Sequence, residues 1–267
     1  MDQPPPTLES SSDAPDAPAM SLPARLMNVI AAPGDVFDHV KASPPSTANW
    51  LVPALILILV SWLGAALIFS QDSIKQQLSD ITTKAIDKQI EKSKMSEQQA
   101  ATVRAMGEKW GGIGIKFTAV AAPVFVAFAS PFWGGLILWL VGAKALKGGF
   151  SYMKAVEVAG LANMIGVLAA VVKSLLIVGL GNLYTSPSLA LAVKEFDPQN
   201  PVHGLMAAVN VMTFWLLAVR SVGIARLSSA SVAKAGAWMF GIWAAFTALM
   251  VGFSFAMLAI SRAMTGG

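Results

Sequence analysis

The sequence contains no cysteine, which excludes disulfides, thiolate catalysis and Cys-ligated zinc. Histidine is nearly as scarce, with only His39 and His203. His39 lies near Asp35 and Asp38, but one imidazole beside exposed acids reads as ordinary surface rather than as a metal site. The chain has no phosphate-binding glycine loop ending in Lys-Ser or Lys-Thr, no His-Glu-x-x-His and no Gly-x-Ser-x-Gly. Inside the apolar runs there is no acidic pair; Glu157 stands alone near the start of one of them. These absences argue against an enzyme, and no catalytic residue, cofactor or metal site is expected.

Charge is also sparse. Charged residues make up 13% of the chain, about half the usual share of a soluble domain. The pI near 9.4 does not point to nucleic acid, because the basic residues sit mostly at the ends of apolar runs and in one long loop. Apolar residues, in contrast, reach 55% and the mean hydropathy is +0.62. Water does not solvate such a surface, and a bilayer does.

Residues 1–20 are rich in Pro, Ser and acids and are expected to be a disordered tail. They lack the basic start and apolar core of a signal peptide. Five apolar runs follow, at about 51–69, 117–141, 156–180, 205–222 and 235–260, each near the roughly 20 helical residues that cross a hydrocarbon core. The fold expected is therefore an all-α polytopic membrane helix bundle with five transmembrane helices. Trp50, Trp110, Trp139 and Trp238 fall near run ends, where an indole straddles the interface. Trp62, Trp133, Trp215 and Trp243 lie deeper and read as packing residues.

Two flanking regions are patterned as helices. Between Ser21 and Val40, Leu22, Leu26, Val29 and Ile30 share one face, and Val36, Phe37 and Val40 follow Pro33. These are either helices on the membrane surface or helices packed on the bundle. Between the first two runs, Ile74, Leu78, Ile81 and Ala85 keep a helical step, and Ser96 to Gln99 makes a capping box. Gly111 and Gly112 are expected to end that second helix. The result is an extramembrane helical hairpin whose charges form a solvated face.

With the N-terminus cytoplasmic, the inner short segments carry Arg25, Lys41, Lys144, Lys147, Lys154, Arg220, Arg226 and Lys234. The outer ones carry Lys194 and Arg262, but the long loop adds eight more bases outside, so charge alone leaves orientation open. The short loops favour a cytoplasmic N-terminus in the cell membrane, with the C-terminus opposite.

Three polar residues inside the runs are candidate intramembrane contacts. Lys173 is the one charge deep in a span, which makes it a functional candidate, although its stem is long enough to snorkel outward. Helix rise places Asn210 at a similar depth in the returning span, so the two are expected to share a hydrogen bond. Asn163 falls in the opposite half of the membrane and does not join them. The fifth run carries a small-residue stripe, Ala237, Gly241, Ala245, Ala248, Gly252 and Ala256, which suits close helix packing. Its partner is another subunit or, as favoured here, a neighbouring helix of the same chain. The Gly107–Gly111 pair lies outside a span and is given no packing meaning.

Ahead of the first run, Asn28, Val29, Ile30, Pro33, Phe37 and Val40 form a spaced pattern of Asn, two β-branched residues, Pro, Phe and a β-branched residue. With the helical loop and four further runs, this resembles the bacterial branch of the Yip1 domain family, over residues 21–262. The resemblance implies a cytoplasmic N-terminus, five spans and no catalysis. Eukaryotic relatives act in vesicle trafficking, bind Rab-type GTPases and each other, and shape membranes. The Asp-Leu-x-Gly-Pro motif of those relatives is absent here, so no GTPase-binding residue is carried over. The expected role is a non-enzymatic membrane protein that organises the bilayer or partner membrane proteins, itself included. The alternative is a small transporter or channel component with a path near Lys173, lined also by Asn210, Pro123 and Pro131.

Overall fold

The computed structural model describes residues 20–265, without the side chains of Glu108, Ser261, Arg262, Met264 and Thr265. All but the last residue of the expected N-terminal tail lies outside the described residues. Ten α-helices follow in order.

The first two are short. Ser21 accepts from the Ala24 amide and Pro23 opens α1, Leu22–Ala31. Pro33 restricts the residue before it, Ala32, to a non-helical conformation and begins α2, Pro33–Ala42. Val29, Val36, Phe37 and Val40 are fully buried in the main core. The apolar faces of both helices therefore meet the bundle rather than lipid. Phe37 fits against α9 (Val211–Ser228) at Gly223, where an added Cβ would lie 3.2 Å from its ring.

The first span is α3, Ala48–Phe69, about 33 Å long by helix rise. Beyond it α4, Asp72–Lys92, runs away and turns at Lys94. Ser96 and Gln99 then close the expected capping box and start α5, Glu97–Trp139. Gly111 and Gly112 do not end this helix, which continues without a break into the second span. Gly107 and Gly111 instead face α4, where added Cβ atoms would overlap Ile86 and crowd Thr82 at 3.0 Å. The pair dismissed as outside a span is thus a site of close helix approach. Arg104 and Asp87 add an exposed ion pair at 3.0 Å.

A π-helical turn, Leu140–Ala145, ends the second span. The third span is two helices, α6 (Tyr152–Ala162) and α7 (Met164–Leu180), interrupted at Asn163. The fourth differs from the expected 205–222. Leu205 belongs to a short α8, Pro201–Ala208, and the span itself is α9, which begins after the cap Asn210. The fifth is α10, Val232–Thr265.

Two faces result. One carries α1, α2, the loop 146–151 and the α9–α10 turn. The other carries α4, the N-terminal part of α5, the segment 181–200 and α8. Gln77 of α4 clamps that segment, donating to the Gly181 carbonyl at 2.6 Å and accepting from the Leu183 amide at 3.2 Å. Among the described residues, five helical segments are long and apolar enough to cross a membrane. Among the deeper tryptophans, Trp133 is 67% and Trp62 42% exposed rather than packed.

Candidate functional site

Helix α6 is the most enclosed element; every residue from Lys154 to Ala162 is buried. Burying a charged group in apolar surroundings is costly without a partner, and α6 buries two. Glu157 is fully buried, and Lys154 nearly so. They sit one helical turn apart, with Lys154 Nζ 3.1 Å from Glu157 Oε1. The aligned hydrogen bond of that ammonium goes to the Val40 carbonyl at 2.7 Å. Val40 lies in the last turn of α2, whose carbonyls have no partner within the helix and carry the negative end of its dipole.

The other carboxylate oxygen of Glu157 accepts from Asn49 Nδ2 at 2.5 Å, and Asn49 Oδ1 accepts from Arg25 at 2.7 Å. A chain of polar contacts thus links α1, α3, α6 and α2. Close approach makes it possible. An added Cβ on Gly160 would overlap the Trp50 backbone, so only glycine lets α3 come this near to α6. Asn49 is then within reach of Glu157.

A second cluster lies further along. Asn163, at the break between α6 and α7, donates to Ser130 Oγ at 2.9 Å and accepts from Arg220 at 3.1 Å. The guanidinium lies against α5 at Gly134, where an added Cβ would sit 3.0 Å from a guanidinium nitrogen. Arg220 forms no ion pair among the described residues, and its Nε is buried without a partner. α5, the α6–α7 break and α9 are tied at this point.

Of the three expected polar residues, Asn163 enters this cluster. Lys173 and Asn210 line one cavity of about 340 Å³ between α7 and α9, together with Ser186 and Thr213. No hydrogen bond joins them. Asn210 Oδ1 instead accepts from the Met212 and Thr213 amides and caps α9. A helix start demands such an acceptor, and that demand takes the oxygen. Pro123 and Pro131 are not among the residues lining this cavity.

The small-residue stripe is also placed differently from the favoured reading. Ala237, Gly241, Ala245, Ala248, Gly252 and Ala256 are all exposed. α10 holds the bundle with Ala235, Met239 and Trp243 instead, the last edge-on to Phe214 at 4.9 Å.

Glu157, Lys154, Asn49, Arg25 and Arg220 are not among the site residues expected from sequence. Glu157 carried the one usable signal, as a lone acid opening an apolar run. Lys154 and Arg220 looked like flanking charges of the kind that set orientation.

The arrangement of five long apolar helical segments around buried, interacting polar groups defines a polytopic helical membrane protein. The Yip1 domain family matches residues 27–258, nearly the whole chain, and the chain belongs to that family. No match appears among curated proteins or among solved structures.

Proposed function

We propose that this Yip1-type protein is non-enzymatic and organises partner membrane proteins, or copies of itself, in the plane of the bilayer. The observation that supports this reading most is the exposed stripe of α10. From Phe240 to Ile260 no residue of α10 is buried, and Cβ atoms on Gly241 and Gly252 would meet nothing within 4 Å. Lipid offers no hydrophobic drive for association, so backbone approach over small residues is what brings helices together. The polar groups of α6 support the same reading, since each is engaged in holding helices of the chain together.

Crosslinking in native membranes tests it. The absence of native cysteine makes single substitutions clean. Ala245→Cys and Ala248→Cys are expected to capture a partner span that mass spectrometry identifies, whereas Met250→Cys, exposed on the opposite side of the helix, is not. A chain that crosslinks at neither stripe position in its native membrane overturns the proposal.

A second reading, transport along a path near Lys173, has the cavity shared by Lys173 and Asn210 in its favour. Its test is solute flux into vesicles containing Lys173→Ala. That reading fails when flux matches protein-free vesicles for both the parent and the variant.

A further inference from the structure

On the α1–α2 face, a concave feature lies between the end of the π-helical turn and the α9–α10 turn. It is a cleft of about 680 Å³ lined by Ala145, Leu146, Lys147, Ser228 to Ser231, Lys234, Ala237 and Trp238. No acidic residue lines it. Lys147 and Lys234 form no ion pair among the described residues.

The hydroxyls in the cleft are also short of acceptors. Ser229 Oγ accepts from Lys41 Nζ at 2.8 Å, and Ser231 Oγ accepts from the Lys234 amide at 3.3 Å. Each therefore receives a hydrogen bond and retains its own proton to donate. Ser228 differs, because its proton goes to the Ile224 carbonyl at 2.7 Å. The wall is rigid. Gly148 packs so closely on Ser228 that an added Cβ would lie 2.7 Å from the Ser228 Cα. Two free ammonium groups and two free hydroxyl protons face a space with no anion of the chain's own.

The other side of the cleft is apolar. Ala145, Ala237 and Trp238 are exposed, and Trp238 is 50% exposed at the start of the fifth span. An indole at a span end marks the level of the lipid headgroups. A soluble anion needs no apolar wall, whereas a phospholipid needs both a cationic pocket for its phosphate and an apolar edge for its acyl chains.

We infer that this cleft is a binding site for the phosphate of an anionic phospholipid in the leaflet on the α1–α2 side. Lys147 and Lys234 neutralise the phosphate, Ser229 and Ser231 donate to its oxygens, and Trp238 packs along the glycerol and upper acyl chain. The inference does not rest on lateral association through α10, although Ala237 lies at the edge of both surfaces.

The test uses the full chain in nanodiscs that mix phosphatidylcholine with phosphatidylglycerol, followed by native mass spectrometry of the retained lipid. The parent is expected to retain phosphatidylglycerol preferentially. The double variant Lys147→Gln, Lys234→Gln is expected to lose that preference by about tenfold or more. Lys147→Arg, Lys234→Arg keeps the charge and is expected to keep the preference. Lys92→Gln, Lys94→Gln removes equal charge from the opposite face and is expected to leave it unchanged. No preference in the parent, or an equal loss in that control pair, overturns the site. Displacement of the lipid by millimolar glycerol phosphate overturns the lipid assignment in favour of a soluble phosphate. All four lysines lie outside the core, and unchanged thermal unfolding of each variant checks that the fold is intact.

Discussion

Asn49 and Glu157, 108 residues apart in sequence, meet through a buried hydrogen bond of 2.5 Å between the first turn of α3 and the middle of α6. Arg25 holds the far side of Asn49, and Lys154 pairs with the other oxygen of Glu157. The N-terminal helices are thereby fastened to the spans by charge as well as by the apolar wedge of Val29, Phe37 and Val40.

Glu157→Leu is expected to destabilise the protein by about 3–5 kcal/mol, because it leaves Lys154 buried beside no carboxylate. Lys154→Met combined with Glu157→Leu is expected to recover part of that loss. Thermal unfolding in detergent of the parent, both single variants and the double variant measures the coupling. Additive losses would show that the two groups do not interact.

Asn163→Ala removes the acceptor that faces Arg220 and the donor to Ser130. Unpaired buried polar groups cost about 1–3 kcal/mol. The variant is expected to unfold at lower temperature by an amount in that range, and Arg220→Leu on the Asn163→Ala background is expected to reverse some of it. A parent-like melting curve for Asn163→Ala would contradict the cluster.

Two glycines make a paired prediction. Gly160→Ala drives a methyl into the Trp50 backbone and is expected to cost at least about 1–3 kcal/mol, the range for overpacking. Gly112→Ala meets nothing within 4 Å and is expected to gain up to about 1 kcal/mol from helix propensity. Comparable effects at both positions would mean that α3 and α6 are not in such close contact.

Lys144→Cys and Lys92→Cys lie on opposite faces of the bundle. Labelling of intact cells with a membrane-impermeant maleimide is expected to modify Lys92→Cys and spare Lys144→Cys when the N-terminus is cytoplasmic. The reverse pattern would invert the chain, and modification of both in sealed cells would contradict the spanning topology.

The local signals in the sequence are strong where they depend on neighbours along the chain. Ser21 and Pro23 start α1, Pro33 separates α1 from α2, and Ser96 with Gln99 starts α5. Gly111 and Gly112 mislead because their effect depends on what approaches them. α5 runs on through both, with Gly107 and Gly111 set against α4. The same holds for Asn210, whose place at a helix start decides that its oxygen caps the backbone and does not meet Lys173.

The sequence by itself determined that this chain crosses a bilayer repeatedly as helices. Backbone groups in hydrocarbon must be satisfied within each segment, and that requirement is written in run length and composition. Only the tertiary structure decided that Glu157 meets Asn49, that Arg220 meets Asn163, and that the small residues of α10 face outward. Those outcomes depend on which helix faces lie against each other, and spacing along one helix carries no record of the rotation of its neighbour.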